Sequence, residues 1–245
     1  MKMKSTILAI TILFLLFAGC YYRDVPPTAV SGKMLYVDHT SFDFGYVPQG
    51  FMVKHNFVIE NVGSKILQIT DVSTTCDCVN AHITNPNIAS EDSAYLTIEF
   101  NSTGYFGVIS KYIIMKTNDP RMPSVAFTFI ANMDYTDNPF VLIEPREVLL
   151  GMSSSPYVSI QNISDFGLAV NVDDYYPPIM AEPVLQSYYI APGAEVKMKL
   201  SLDNVVQWQY GSVTLSILGG ANARDSCRIT IPILSESYDN RSKFW

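Results

Sequence analysis

After residue 33 the apolar residues of this chain fall in short alternating runs, broken by Gly, Pro, Asn and Asp, and no long window keeps a helical period. A run of this kind can bury one face and wet the other. It reads as a strand bounded by turns. The runs at residues 34–38, 53–60, 66–73, 94–101, 108–117 and 125–132 are the candidate strands of the first half. Asn61-Val62-Gly63-Ser64 reads as a hairpin turn, and Asn118-Asp119-Pro120 as a second turn. Hydrophobic residues make up 48% of the chain and charged residues only 16%, with 15 Tyr and 13 Phe. That balance supports a packed core and favours strands over exposed helices.

The second half repeats the order of the first. Ile59-Glu60-Asn61-Val62-Gly63 is matched by Ile160-Gln161-Asn162-Ile163-Ser164, and the run from Ile66 to Ile69 by the run from Leu168 to Val172. The stretches 89–100 and 191–202 are each a turn feeding an alternating strand, and Gly107 and Gly211 stand at corresponding strand starts. A period on the order of 100 residues is the size of one immunoglobulin-like sandwich. The expected architecture is all-β: two tandem immunoglobulin-like β-sandwich domains after a lipoprotein signal peptide. The domains are expected at residues 34–134 and 140–235, with a polar boundary near 134–139 and a tail at 236–245.

The first 19 residues read as an export signal. Lys2 and Lys4 supply the positive start, residues 7–17 are apolar except for Thr11, and Ala18 and Gly19 are small. The apolar stretch is shorter than the roughly 20 residues of a spanning helix. Phe17-Ala18-Gly19-Cys20 resembles the bacterial lipobox, with Phe17 where Leu is usual. The resemblance implies cleavage before Cys20 and lipidation of that cysteine. Residues 20–33, with Pro26, Pro27 and Gly32, read as a lipidated tether. The expected location is the cell envelope, at the outer membrane and facing the periplasm.

Phe42-Asp43-Phe44-Gly45, Gly50, Asn61-Val62-Gly63, Thr75-Cys76-Asp77-Cys78 and Thr117-Asn118-Asp119-Pro120 occur in that order across about residues 41–133. Together they resemble a widespread bacterial domain family of unknown function, common in lipoproteins of Bacteroidetes-type organisms. That family is similar to the immunoglobulin-like modules of Hydin and major sperm protein. The resemblance implies the fold and no activity. Asp77 stands where the family often has Gly, and the second half has no cysteine pair.

The known signatures of catalysis are absent from the sequence: no Gly-x-Ser-x-Gly, no phosphate loop, no His-Glu-x-x-His and no dinucleotide fingerprint. The chain is therefore expected not to be an enzyme. Its net charge of −7 excludes the basic footprint of a nucleic-acid binder. Cys76 and Cys78 share a face if the segment is extended, and His82 has the same parity. Two thiolates and an imidazole would suit Cu(I) or Zn. The same pair could instead form a disulfide, exchange thiols, or serve as structural thiols. With Cys20 acylated, Cys227 is left unpaired and is expected in a core strand. His39 and His55 read as ordinary solvated or core residues. Tyr175-Tyr176, Tyr188-Tyr189, Trp208 and Tyr210 read as sandwich packing or as contacts to a partner. The expected function is a lipid-anchored envelope module that binds or scaffolds a protein or glycan without a cofactor. The alternative is metal handling or thiol exchange by Cys76 and Cys78.

Overall fold

The structure, a computed structural model, describes residues 32, 34–134, 138–150, 156–176, 179–182, 188–202, 210–219 and 226–235. The signal-like segment, Cys20, most of the tether, Trp208 and the tail lie outside the described residues. Residues 31–245 form one compact unit.

The described residues are all-β. The first half holds β1 (Leu35–Tyr36), β2 (Ser41–Tyr46), β3 (Met52–Asn61), β4 (Leu67–Thr74), β5 (Val79–Ile83), β6 (Asn87–Ile88), β7 (Ser93–Asn101), β8 (Val108–Thr117) and β9 (Ser124–Asn132). The second half holds β10 (Val141–Glu144), β11 (Val148–Leu150), β12 (Tyr157–Asn162), β13 (Leu168–Tyr176), β14 (Ile179–Glu182), β15 (Tyr188–Ile190), β16 (Glu195–Leu202), β17 (Tyr210–Gly219) and β18 (Ser226–Ser235). The pairings repeat strand for strand. β1-β3-β7-β5 matches β10-β12-β16-β14, and β2-β9-β8-β4-β6 matches β11-β18-β17-β13-β15. Both β2 with β9 and β11 with β18 pair in parallel.

Each half is an immunoglobulin-like β-sandwich with its own core. Phe44, Phe57, Phe100, Phe127 and Phe129 fill the first. Val158, Ile160, Leu168, Met198, Leu215 and Ile231 fill the second. The pattern follows from strand alternation: β3 alternates half-buried and buried along its whole length.

Three differences from the sequence expectations have physical causes. β2, β5 and β6 are not among the runs expected from alternation. β2 is short, pairs in parallel, and contains Gly45 at φ 64°. Residues 61–64 are not a hairpin turn, because β3 and β4 belong to opposite sheets and the segment arches between them. Asn61 holds that arch from inside: its Nδ2 donates to the carbonyls of Lys65 and Ile88, both at 2.8 Å, and its Oδ1 accepts from the amide of Gly63. Finally, the halves are joined by more than a linker. β18 pairs with β2 at Ile229 and Tyr46, so one sheet of ten strands runs through both sandwiches.

Candidate functional site

The junction of the two sandwiches gathers several buried polar side chains, among them His55, Glu99, Ser212, Thr214 and Thr230. Gly45 lies against β18 so closely that a Cβ on it would meet the Arg228 carbonyl oxygen at 2.0 Å. Its positive φ is a second reason that glycine is required. Beside it, Thr230 Oγ1 donates to the Phe44 carbonyl at 2.6 Å and contacts Thr214 Oγ1 at 2.8 Å. Arg228 pairs with Asp173 at 2.7 Å and reaches the Asp43 carbonyl at 3.2 Å.

β3 runs on past the short β1, so its outer edge at Lys54 has no strand partner from its own sheet. Ser212 of β17 fills that gap. Its hydroxyl donates to the Lys54 carbonyl at 2.9 Å and accepts from the Lys54 amide at 3.0 Å. The Lys54 ammonium meets Glu99 at 2.7 Å and lies over the rings of Tyr176 and Tyr210. Burial pushes the Glu99 carboxyl up, but the Lys54 and Asn80 hydrogen bonds and the Lys54 charge outweigh it and hold the group below its ordinary value.

His55 and His39 occupy the adjoining corner. His55, on β3, is 5% exposed, stacked on Phe42 with ring centroids 3.6 Å apart and edge-on to Phe57. Its Nδ1 lies 2.5 Å from Asp174 of β13. Burial pulls its pKa down, against the opposing hydrogen bond and charge of Asp174. His39, on the β1–β2 connection, places Nε2 3.4 Å from His55 Nε2, while its Nδ1 meets Asp38 at 2.7 Å. Sequence reasoning treated these histidines separately. Asp174 is 119 positions from His55, so only the packing of the two halves brings them together.

Cys76 and Cys78 lie between β4 and β5, where the chain crosses from one sheet to the other, and they are bonded to each other. The segment is not extended there. Their Cα atoms are 5.3 Å apart and the Val79 amide donates to the Cys76 carbonyl, closing a turn. Both cysteines are half-buried against the first core, and His82 is exposed on β5. The disulfide engages both sulfurs that the Cu(I) or Zn reading of Cys76, Cys78 and His82 requires as thiolates. Among the described residues no cluster of three or more His, Cys, Asp or Glu could hold a metal. Cys227 is a free, half-buried thiol packed against the second core, and burial pushes its pKa up to about 12.

The sequence turn at 118–120 carries a buried carboxylate that sequence reasoning missed. Asp119 is fully buried and accepts from the amides of Met34, Leu35 and Arg121, each at 2.8 Å. Burial alone would raise its pKa; these backbone donors lower it below the ordinary value. It ties the β8–β9 turn to the first strand.

The outward face of β8 and β9 is apolar in patches. Val108, Tyr112, Ile114 and Ile130 are all exposed on it. Among the described residues no helix is long and apolar enough to cross a membrane.

These features define a double immunoglobulin-like sandwich with a buried polar junction. Residues 35–132 match the family described as protein of unknown function (DUF1573). No curated protein matches the chain in sequence. Among solved structures, a major sperm protein family member from C. elegans, WR4, is 11% identical, with 39% of this chain and 97% of that one covered and a TM-score of 0.33. A protein of unknown function from Porphyromonas gingivalis W83 is 14% identical over 82% of this chain and 99% of that one, with a TM-score of 0.33. The E. coli chaperone DraB is 11% identical over 80% and 96%, with a TM-score of 0.30. At these identities and scores nothing about activity follows from the likenesses.

Proposed function

We propose that this chain is a lipid-anchored protein of the cell envelope that binds or scaffolds a protein or glycan partner and does not turn over a substrate. The lipid on Cys20 holds it to the outer membrane, with the sandwiches facing the periplasm. The export-like start, the small residues before Cys20 and the proline-bearing tether support the anchoring. The observation that carries the binding role is the outward face of β8 and β9. Tyr112 is 48% exposed and Ile130 44%, and they are diagonal neighbours across the pair, since Ser110 stands opposite Ile130 and Thr128 opposite Tyr112. Adjacent exposed apolar side chains on a rigid sheet are a common form of docking surface.

The test is site-specific photo-crosslinking in intact cells, with the full chain carrying the crosslinker at Tyr112 or at Tyr95. Tyr95 is exposed on the opposite sheet. The expected result is one discrete adduct from position 112, lost when Ile130→Asp is added, and none from position 95. Equal adducts from both positions, or none from either, contradict the proposal.

A further inference from the structure

The His39–His55 contact lacks a hydrogen when both rings are neutral. Each Nδ1 faces a carboxylate: His39 faces Asp38 at 2.7 Å and His55 faces Asp174 at 2.5 Å. A carboxylate only accepts, so each Nδ1 carries the ring hydrogen and each Nε2 keeps its lone pair. The ring centroids stand 5.7 Å apart and the Nε2 atoms 3.4 Å apart, so the two lone pairs point at each other along the line of a hydrogen bond. Between neutral rings, acceptor meets acceptor. Between two charged rings, donor meets donor. With one added proton the contact is a charge-assisted N–H···N hydrogen bond.

The surroundings decide which ring carries the charge. His55 is buried between Phe42 of β2 and Phe57 of β3, and burial opposes charging it. Arg228 of β18, 5.5 Å from the centre of the Phe42 ring, opposes it as well, although Asp173 pairs with that guanidinium. Asp174 of β13 favours the charge without outweighing burial. The His39 side chain is 40% exposed, and Asp38 beside it balances a positive ring. The charge therefore rests on His39, which donates through Nε2 to a neutral His55. The β1–β2 connection is pinned on both sides of His39. The Leu35 amide donates to Asp119 and the Thr40 carbonyl accepts from the Thr128 amide, each at 2.8 Å. The His39 side chain can thus leave His55 while the strands stay in place.

We propose that His39 and His55 hold one proton between their Nε2 atoms, and that this proton makes the docking of the β1–β2 connection on the junction pH-dependent. His55 also bonds Asp174 of the second sandwich, so the series Asp38, His39, His55, Asp174 runs from the connection across β3 into β13. The bond exists in the folded protein alone, so it adds stability while the pair holds one proton. That stability is lost as pH rises and the proton leaves, because lone pair then meets lone pair. It is lost again in acid, where a second proton charges the buried His55 and sets two N–H groups face to face. Histidine changes charge between about pH 5 and 8, and the window in which the bond holds lies within that range.

The experiment follows the ring nitrogens of the full chain, labelled with heavy nitrogen at histidine, by NMR from about pH 4 to about pH 9. His39→Ala and His82→Gln assign the signals. The expected spectra show both Nδ1 atoms of the pair protonated throughout and two separate uptake steps at Nε2. The first proton is shared by the pair, and the second enters only in more acid solution. In His39→Ala the His55 ring takes up its proton in a single step. Urea denaturation over the same range gives the second reading. Wild type is expected to exceed His39→Ala by roughly 10-fold in the folding equilibrium at the middle of the window, with the difference fading on both sides. His82→Gln follows wild type. An Nε2–H on either neutral ring in alkaline solution overturns the proposal, since the lone pairs would then not meet. So does a His55 titration that His39→Ala leaves unchanged, and so does a stability difference that is the same at every pH.

Discussion

Ser212 Oγ bonds both backbone groups of Lys54, accepting from its amide at 3.0 Å and donating to its carbonyl at 2.9 Å. One hydroxyl of the second sandwich thus replaces the strand that the edge of β3 lacks in the first. Together with the Gly45–Arg228 approach it makes the junction a packed interface. Ser212→Ala leaves the half-buried Lys54 amide and carbonyl without this partner and should cost about 1–3 kcal/mol in chemical denaturation. Gly45→Ala should cost more, because the backbone must move apart and positive φ is disfavoured. Proteolytic cleavage near residues 134–139 should leave the wild-type halves associated on gel filtration, while Gly45→Ala lets them separate. Separation of the wild-type halves would show that the junction is weak.

Asn61 and Asn162 perform the same task in the two sandwiches. Asn162 Nδ2 donates to the carbonyls of Phe166 and Ile190, and its Oδ1 accepts from Ser164, as Asn61 does with Lys65, Ile88 and Gly63. Both are buried. Replacing either by Ala removes three backbone hydrogen bonds from a buried arch, although the Phe166 carbonyl keeps the Ser164 hydroxyl as a donor, and the expected loss is about 2–4 kcal/mol at each site. Thermal melts of the two variants should show similar shifts. A neutral effect at either position would contradict the equivalence.

Stability should fall in acid through Glu99 and Asp119. Both carboxyls have folded pKa values held below the ordinary range, so their contribution is present above the unfolded carboxylate pKa of about 4 and is lost as pH drops through the folded values. Asp119→Asn should flatten the slope of stability against pH below about pH 5, and at neutral pH should cost roughly 2 kcal/mol. Urea denaturation at a series of pH values checks this. An unchanged slope would mean that the carboxylate is not held by the Met34, Leu35 and Arg121 amides.

The Cys76–Cys78 bond closes a short loop at the crossing from β4 to β5. Cys76→Ser with Cys78→Ser should lower stability by about 1–3 kcal/mol, from lost loop constraint and from hydroxyls placed against the first core. Melting with and without reductant should shift the wild type and leave the double variant unmoved. A double variant as stable as oxidised wild type would remove the structural role.

Much of the scaffold was legible in sequence because strand alternation is local. β8 coincides with its expected run, and the Asn61 and Asn162 segments announced the repeat. What was hidden depends on contacts between distant residues. Phe42 and Phe44 of β2 are buried and alternate with exposed Ser41 and Asp43, but the pairing of β2 with β18 of the other half has no local signal. Asp119 looked like an ordinary turn residue, since its partners are 84 and 85 positions away. His55 looked like a core residue, which it is, but its pairing with Asp174 and contact with His39 arise only when the strands assemble. The Cys76–Cys78 spacing suggested a shared strand face, whereas the segment turns.

The proposed role rests first on attachment to a membrane through Cys20. The direct measurement is metabolic labelling of the full chain with a fatty-acid analogue, followed by mass analysis of its N-terminus, in wild type and in Cys20→Ala. The account predicts a labelled wild type that begins at an acylated Cys20 and sediments with membranes, and an Ala variant that carries no label. A labelled Ala variant, or an unlabelled wild type recovered in the aqueous fraction, would contradict it.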